Sequence, residues 1–228
     1  MYTLYHHYGL RSTAPLLVLE EGGLPYELRT VDIAKDEHRT AAYRAINPRS
    51  MVPTLVLEDG QVLAETGAIM LYLADHHRLT HLAPLQEEPG RGALHDWLFY
   101  HVGVVQEAGK RAGVPVRYST DADAAPGIQE RALQQFVERW RIVDAHLAAH
   151  GPYHLGDRFS LVDLYLLTMS IYFEPVYGLS IDAFPAVKRC YDLVAARPKC
   201  APILTAHIEG IRDLLSRGGT TGYTGNSE

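Results

Sequence analysis

Over roughly the first third of the chain, apolar and polar residues alternate in short runs; over the rest they recur at helical spacing. Tyr2 to His6 is a strand rich in Tyr, Thr and Leu, Gly9 follows it, and an apolar run from Thr13 to Glu21 predicts a helix stopped by Gly22-Gly23. Tyr26 to Asp32 alternates as a second strand. A strand, helix and strand of these lengths form a βαβ unit, right-handed with its two strands parallel. Thr54 to Glu58 and Gln61 to Ala64 flank an Asp59-Gly60 turn, and a helix opens at Glu65-Thr66 and runs through Ile69 and Leu73. The predicted order is βαβ-ββα.

After this the pattern changes. HHRLTHLAPLQEEPGR, from His76 to Arg91, has two prolines, a glycine and no sustained period, and predicts a linker. Beyond it no strand signal of comparable strength recurs. Leu94 to about Arg111 predicts a long helix, and in Gln129 to Ala149 a stripe of Leu133, Phe136, Val137, Trp140, Val143 and Leu147 marks a core-facing helix. Ser160 and Asp163 have capping-box spacing, with Phe159 and Leu164 placed as a staple, at the start of an apolar helix from Leu161 to Tyr172. Helices over Phe184 to Ala196 and Pro202 to Leu215 complete the set, and the Gly/Thr-rich residues 217–228 predict a disordered tail. The domains read as 1–78, a linker at 79–91, and an all-helical 92–216.

A formal net charge of −6 without a Lys/Arg cluster argues against nucleic acid and anionic membrane as partners. Cys190 and Cys200 lack CxxC spacing or a secreted pairing pattern and read as reduced, buried thiols. MYTLYHHYG has neither the basic nor the apolar region of a leader, so the cytoplasm is the expected location. His146, His150 and His154 share a spacing, but Gly151-Pro152 interrupts it and no acidic or cysteine partner completes a ligand set, so no metal site is expected.

The clearest candidate chemistry lies in NPRSMVPTLVLEDGQVLAET, Asn47 to Thr66. A cis X-Pro bond costs only about 0.5–1 kcal/mol, and at Val52-Pro53 it turns the amide and carbonyl of Val52 outward, free to pair with an extended, peptide-like ligand. Thr66 is an N-cap candidate whose helix start attracts an anion, and neighbouring Glu65 suits a cation. A ligand with a peptide bond, a carboxylate and an ammonium satisfies all three. Ser12 stands where the first helix begins, with Pro15 in its first turn. Locally it is a plain N-cap worth about 1 kcal/mol, yet the positive end of a helix also favours a thiolate, whose parent thiol titrates near about 8.5.

With LAET-GAIMLYLAD, LGDRFSLVDLYL and FPAVKRCYDLVAARP further on, NPRSMVP resembles the cytosolic glutathione S-transferase family, in its bacterial beta-like or a related Ser-type subgroup. The four motifs stand in family order and spacing. The resemblance implies an α/β plus all-α protein, with an N-terminal thioredoxin-like domain, a C-terminal all-helical domain and a homodimeric assembly. It implies an enzyme with glutathione as co-substrate and no bound cofactor, acting on a small electrophile. Met51, Val52, Pro53, Glu65 and Thr66 are the implied glutathione-binding residues, and Lys35, Arg49 and Asn47 are placed to reach the glycine carboxylate or support the proline loop. Ser12, ahead of Tyr5, is the implied donor to the thiolate. Arg11 precedes Ser12 where the closest subgroup often has Cys, which weighs against mixed-disulfide chemistry. His7, Tyr8, Arg11, Tyr100, Val104, Arg111, Arg117 and Tyr118 are candidates for a second-substrate pocket, aromatics suiting an apolar electrophile and arginines an anionic one. The subgroup's His-Lys pair is Gln106-Glu107 here, so its contacts do not carry over. The alternatives are a glutathione-dependent isomerase, an ether-cleaving enzyme or dehalogenase, and a non-catalytic interaction protein.

Overall fold

The computed structural model describes residues 1–217, so the expected tail, Arg217 apart, lies outside the described residues. The first strand, β1 (Tyr2–His6), pairs in parallel with β2 (Tyr26–Thr30), from Tyr2 opposite Tyr26 to His6 opposite Thr30. Between them runs α1 (Thr13–Gly22), closed by Gly23 in the left-handed region at φ 63°. On the other side of β1 lies antiparallel β3 (Thr54–Val56), with Tyr5 opposite Thr54, and β4 (Val62–Leu63) returns beside β3. The sheet order is β2-β1-β3-β4, a mixed thioredoxin-like sheet.

Alternation along β1 sends Tyr2, Leu4 and His6 into the core and Thr3 and Tyr5 to the opposite face. On the core face α1 packs against α3 (Thr66–His76). On the other lies α2 (Ala41–Ile46), whose Tyr43 ring meets that of Tyr5 edge-on at 5.6 Å. The βαβ-ββα expectation omits this helix. Its six residues are too few to show a period, and what starts it is the Thr40 side chain, which accepts from the Tyr43 amide at 3.2 Å.

The remainder is helical: α4 (Arg91–Phe99), a π-helical segment (Tyr100–Val105), α5 (Gln106–Gly113), α6 (Ala125–His150), α7 (Leu161–Ser170), α8 (Phe173–Tyr177), α9 (Pro185–Ala195) and α10 (Cys200–Ser216). The single helix expected over Leu94 to Arg111 is thus three segments. Every residue of α7 is buried, which makes its start important, and the capping box is formed: Ser160 Oγ accepts from the Val162 amide at 3.3 Å and Asp163 Oδ2 from the Ser160 amide at 2.8 Å. Phe159 lies under the Arg197 guanidinium at 3.8 Å, and its ring meets that of Tyr153 edge-on.

The two halves share one core. Leu79, Leu82 and Ala83, in the connecting stretch, are buried, and the Leu82 carbonyl accepts from the Leu161 amide at 2.8 Å. Leu16 to Leu19 of α1 are all buried because α1 contacts α3 on one side and α7 and α10 on others. At the ends of α1, Arg197 grips Glu21 through two hydrogen bonds of 2.9 and 2.8 Å, and Gly9 meets Gly210 of α10 backbone to backbone. A Cβ on Gly9, whose φ is +85°, would stand 2.6 Å from the Gly210 carbonyl carbon, so neither glycine can carry a side chain in this packing.

Candidate functional site

The strand directions bring the ligand candidates to one end of the sheet. β1 and β2 both finish there, β3 starts there and β4, antiparallel to β3, ends there. The start of α1, the Met51 to Pro53 loop and the start of α3 are therefore neighbours. Val52-Pro53 is cis. The carbonyl before it, on Met51, is held from inside by Tyr43 Oη at 2.7 Å, Asn47 Nδ2 at 3.0 Å and Thr54 Oγ1 at 3.1 Å. Tyr43, Asn47 and Thr54 are buried, so the loop rests on a rigid base. Among the described residues the Val52 amide and carbonyl have no hydrogen-bond partner.

Glu65, not Thr66, is the N-cap of α3; Thr66 is its first helical residue and is largely buried. The Glu65 carboxylate pairs with Arg49 at 3.0 Å, both side chains exposed. Lys35 is exposed and bound to Asp32 at 3.0 Å.

Ser12 differs from its sequence reading. Its side chain makes no cap bond and is fully buried; Oγ donates to the His7 carbonyl at 3.0 Å and accepts from the His7 amide at 3.1 Å. What the start of α1 leaves unpaired among the described residues is backbone, the amides of Arg11 and Ser12. Tyr5 lies on the α2 face of the sheet, with Oη accepting from Arg29 Nη1 at 3.2 Å. His7 folds back, its Nδ1 hydrogen-bonded to the Tyr8 carbonyl. Burial, then Glu20 of α1, raises the Tyr8 hydroxyl's pKa.

The π-helical segment sets what faces this end of the sheet. Its wide turn carries His101 into the core, where Nε2 lies 2.9 Å from His154 Nε2. Tyr100 Oη donates to the Arg139 carbonyl of α6 at 3.4 Å, which turns that pocket candidate away from α1, and the Val104 carbonyl accepts from Arg139 Nη1 at 2.8 Å. Val102 and Leu98 instead lie over Gly67 at the start of α3. Gln106 is buried and accepts the Tyr165 hydroxyl. Arg11 lines a narrow crevice of about 20 Å³, open to solvent at its mouth, together with Gln106, Gly109, Lys110, Tyr172 and Tyr177. At its rim the Arg111 guanidinium lies 5.5 Å from the centre of the Tyr118 ring. The spacing of apolar residues gave no sign of Val102, Gln106 or Lys110, because an extra residue per turn rotates the helix face.

Behind this wall runs a buried polar chain. Asp163 Oδ1 accepts from His154 Nδ1 at 2.7 Å and from the His154 amide at 3.0 Å, which makes His154 Nε2 the acceptor for His101. Burial, then His154, holds the His101 pKa well below its ordinary value. His6 and His207 are also fully buried; burial lowers them to about 4 and about 3. Cys190 and Cys200 are free and buried. Among the described residues no group of three or more His, Cys, Asp or Glu is placed to hold a metal ion.

Comparison with known proteins agrees with this geometry. The model of the glutathione S-transferase N-terminal domain matches residues 11–76, and that of the C-terminal domain matches residues 126–201. The maleylacetoacetate isomerase of Pseudomonas aeruginosa is 31% identical over 205 residues, covering 86% of this chain and 92% of that protein. The glutathione S-transferase GstA of Escherichia coli O157:H7 is 29% identical, covering 92% and 99%. A glutathione transferase homologue from Sulfitobacter, crystallised with bound glutathione, superposes with a TM-score of 0.83 at 28% identity, over 91% of this chain and 99% of that one. With both domain models matched across more than half its length, the chain belongs to the glutathione S-transferase family.

Proposed function

We propose that this protein is a glutathione transferase that binds glutathione across the end of the sheet and activates its thiol for attack on a small electrophile. The observation that carries the reading is Val52, whose amide and carbonyl are unpaired on a braced loop beside the start of α3. In this reading Val52 pairs with the cysteinyl backbone, flanked by Met51 and Pro53. Thr66 and the first amides of α3 take the γ-glutamyl carboxylate, and Glu65 takes the α-ammonium in place of Arg49. Lys35 reaches the glycine carboxylate. The sulfur anion meets the Arg11 and Ser12 amides at the positive end of α1, and Ser12 Oγ, by clasping the His7 peptide, holds them in position. Catalysis is then positioning plus stabilisation of a bound anion: the thiolate forms a bond to carbon and the leaving group departs with its electron pair.

A second reading keeps the site and regenerates glutathione, making the enzyme an isomerase; the likeness to the Pseudomonas maleylacetoacetate isomerase favours it. Product analysis separates the two, since only conjugation consumes glutathione. The family likeness also suggests a cytoplasmic homodimer, which sedimentation tests for assembly; no helix among the described residues is long and apolar enough to cross a membrane.

The direct test is calorimetric titration of glutathione into the wild type and Glu65→Ala, with ultraviolet difference spectra of the thiolate across pH. Binding by the wild type with a thiol pKa below about 8.5, and binding at least about tenfold weaker in Glu65→Ala, are expected. No binding by folded wild type overturns the proposal.

A further inference from the structure

Arg11 is an unusual residue to find at this point of the chain. Its amide stands at the start of α1, while its side chain extends into the crevice under α5. Among the described residues that side chain has no hydrogen-bond or ion-pair partner. The nearby carboxylate, Glu107, is already bound to Lys110 at 2.6 Å, so that pair is close to neutral and leaves the guanidinium uncompensated. Burial raises the pKa of the Tyr172 and Tyr177 hydroxyls on the crevice wall, and Arg11 opposes the rise at each; at Tyr165, burial raises it, Arg11 opposes, and Glu107 and Glu65 add to the rise. At nearby Tyr118 burial, then Glu107, raises the pKa, and Arg111, Arg117 and Arg11 oppose the rise. Of the two charged residues lining the crevice, Lys110 is paired with Glu107 and Arg11 is not, so the unpaired charge there is a cation in a chain of formal charge −6.

The donors around it have spare capacity. Tyr177 Oη has no hydrogen-bond partner among the described residues, and it would be 2.6 Å from a Cβ on Gly109, so the glycine keeps that hydroxyl at the crevice wall. Tyr172 Oη is committed, donating to the Gly9 carbonyl at 2.9 Å. Met169 and Val114 supply apolar lining beside the polar groups. A planar guanidinium matches the two oxygens of a carboxylate, and a crevice this narrow takes that group at its open mouth while the carbon body attached to it stays outside.

We infer that the second substrate is an organic acid, whose carboxylate sits on the Arg11 guanidinium with Tyr177 Oη as a further donor. The inference rests on the glutathione reading for the thiolate that attacks this acid, but the anion site exists without it. One residue then serves both reactants, through its amide toward the sulfur and its side chain toward the acid. The acid is thereby held within reach of the nucleophile.

The test uses an electrophile in charged and neutral forms, 4-chloro-3-nitrobenzoate and its methyl ester. Binding of each is measured by calorimetry with S-methylglutathione present, and turnover with glutathione is divided by the uncatalysed rate at the same pH. The wild type is expected to bind the acid about 10- to 100-fold more tightly than the ester, the range of a charge-assisted pair. The ratio is expected to approach one in Arg11→Gln and to be partly retained in Arg11→Lys. Equal binding of acid and ester by wild type that binds S-methylglutathione overturns the acid site and leaves the glutathione reading intact. An acid preference without any glutathione or S-methylglutathione binding supports the anion site and overturns the glutathione reading. Should Arg11→Gln not fold, the wild-type ratio decides alone, and a preference that persists in folded Arg11→Gln also overturns the inference.

Discussion

Lowering the pH from 7 to 5 is expected to loosen the seam between the start of α1 and α10. The groups responsible are His6 and His207. His207 Nδ1 accepts from the Gly9 amide at 3.0 Å and the Thr13 hydroxyl at 2.8 Å, so a proton on that nitrogen displaces two donors. His6 has neither ring nitrogen hydrogen-bonded and no solvent contact. Burial, and for His207 the neighbouring His6, lowers their pKa values to about 4 and about 3 from an ordinary 6.5. Because the folded values lie below the unfolded one, the unfolded chain binds more protons in the interval between them. Stability is therefore complete above about pH 6.5, falls as the pH drops, and levels off below about 4 for His6 and about 3 for His207. Each histidine contributes a loss of about 2 kcal/mol by pH 5, roughly 4 together, against a typical total of about 5–15. Urea unfolding at pH 7, 6 and 5, followed by the fluorescence of Trp97 and Trp140, measures it. His207→Gln keeps an acceptor for Gly9 and Thr13 but cannot titrate, so its loss between pH 7 and 5 should be smaller than that of wild type by about 2 kcal/mol. Carboxylates that titrate in both proteins cancel in this difference. Equal losses in the two proteins, within about 0.5 kcal/mol, refute the assignment.

Three further outcomes follow from the packing. Asp163→Ala removes the acceptor for the amide and Nδ1 of His154 and for the amide and Oγ of Ser160; about 3–5 kcal/mol of stability should be lost in denaturant unfolding, while the folded fraction keeps its glutathione affinity by calorimetry. Ser12→Ala should cost about 1–2 kcal/mol through the lost bonds to the His7 peptide, and spectra of bound glutathione should show its thiol still titrating low, because the unpaired amides remain. Gly210→Ala would put a Cβ 2.4 Å from the Tyr8 carbonyl carbon; with backbone on both sides nothing can give, and thermal unfolding should show a loss of about 3 kcal/mol or more.

Much of the N-terminal half was readable because its signals are local. The alternation of Tyr2 to His6, the glycines that stop α1 and the hairpin around Asp59-Gly60 each depend on residues a few positions apart, as does the Ser160–Asp163 box. Asn47 was readable as a loop support, and it does brace the Met51 carbonyl. α2 escaped because six residues carry no period. The π-helical segment escaped for a different reason: Trp97, His101, Val104 and Val105 fit an ordinary helix equally well, and the contact of His101 with His154, 53 positions away, leaves no local trace. Within this stretch Tyr100 is turned to Arg139, while Val102 and Gln106, which the apolar spacing does not single out, lie against Gly67 and Tyr165. For Ser12, spacing establishes that a hydroxyl stands at a helix start. Whether it turns to its own helix or back to His7 depends on the path of residues 7–12, which no local pattern encodes.

The meeting of Gly9 and Gly210 bears on how this protein can be cut apart. Domains of this size are ordinarily treated as modules, to be expressed, fused or swapped at a linker. Here residues from the final helix complete the first one's surroundings: His207 supplies the acceptor for Gly9 and Thr13, and Gly210 is the floor under Tyr8. The loop that leads into the candidate site is thus finished by a residue 198 positions further along the chain. A fragment ending before Cys200 would carry every residue of the sheet end and still lack the surface that shapes it, so chimaeras of this chain need their N-terminal half and their last helix to come from the same parent.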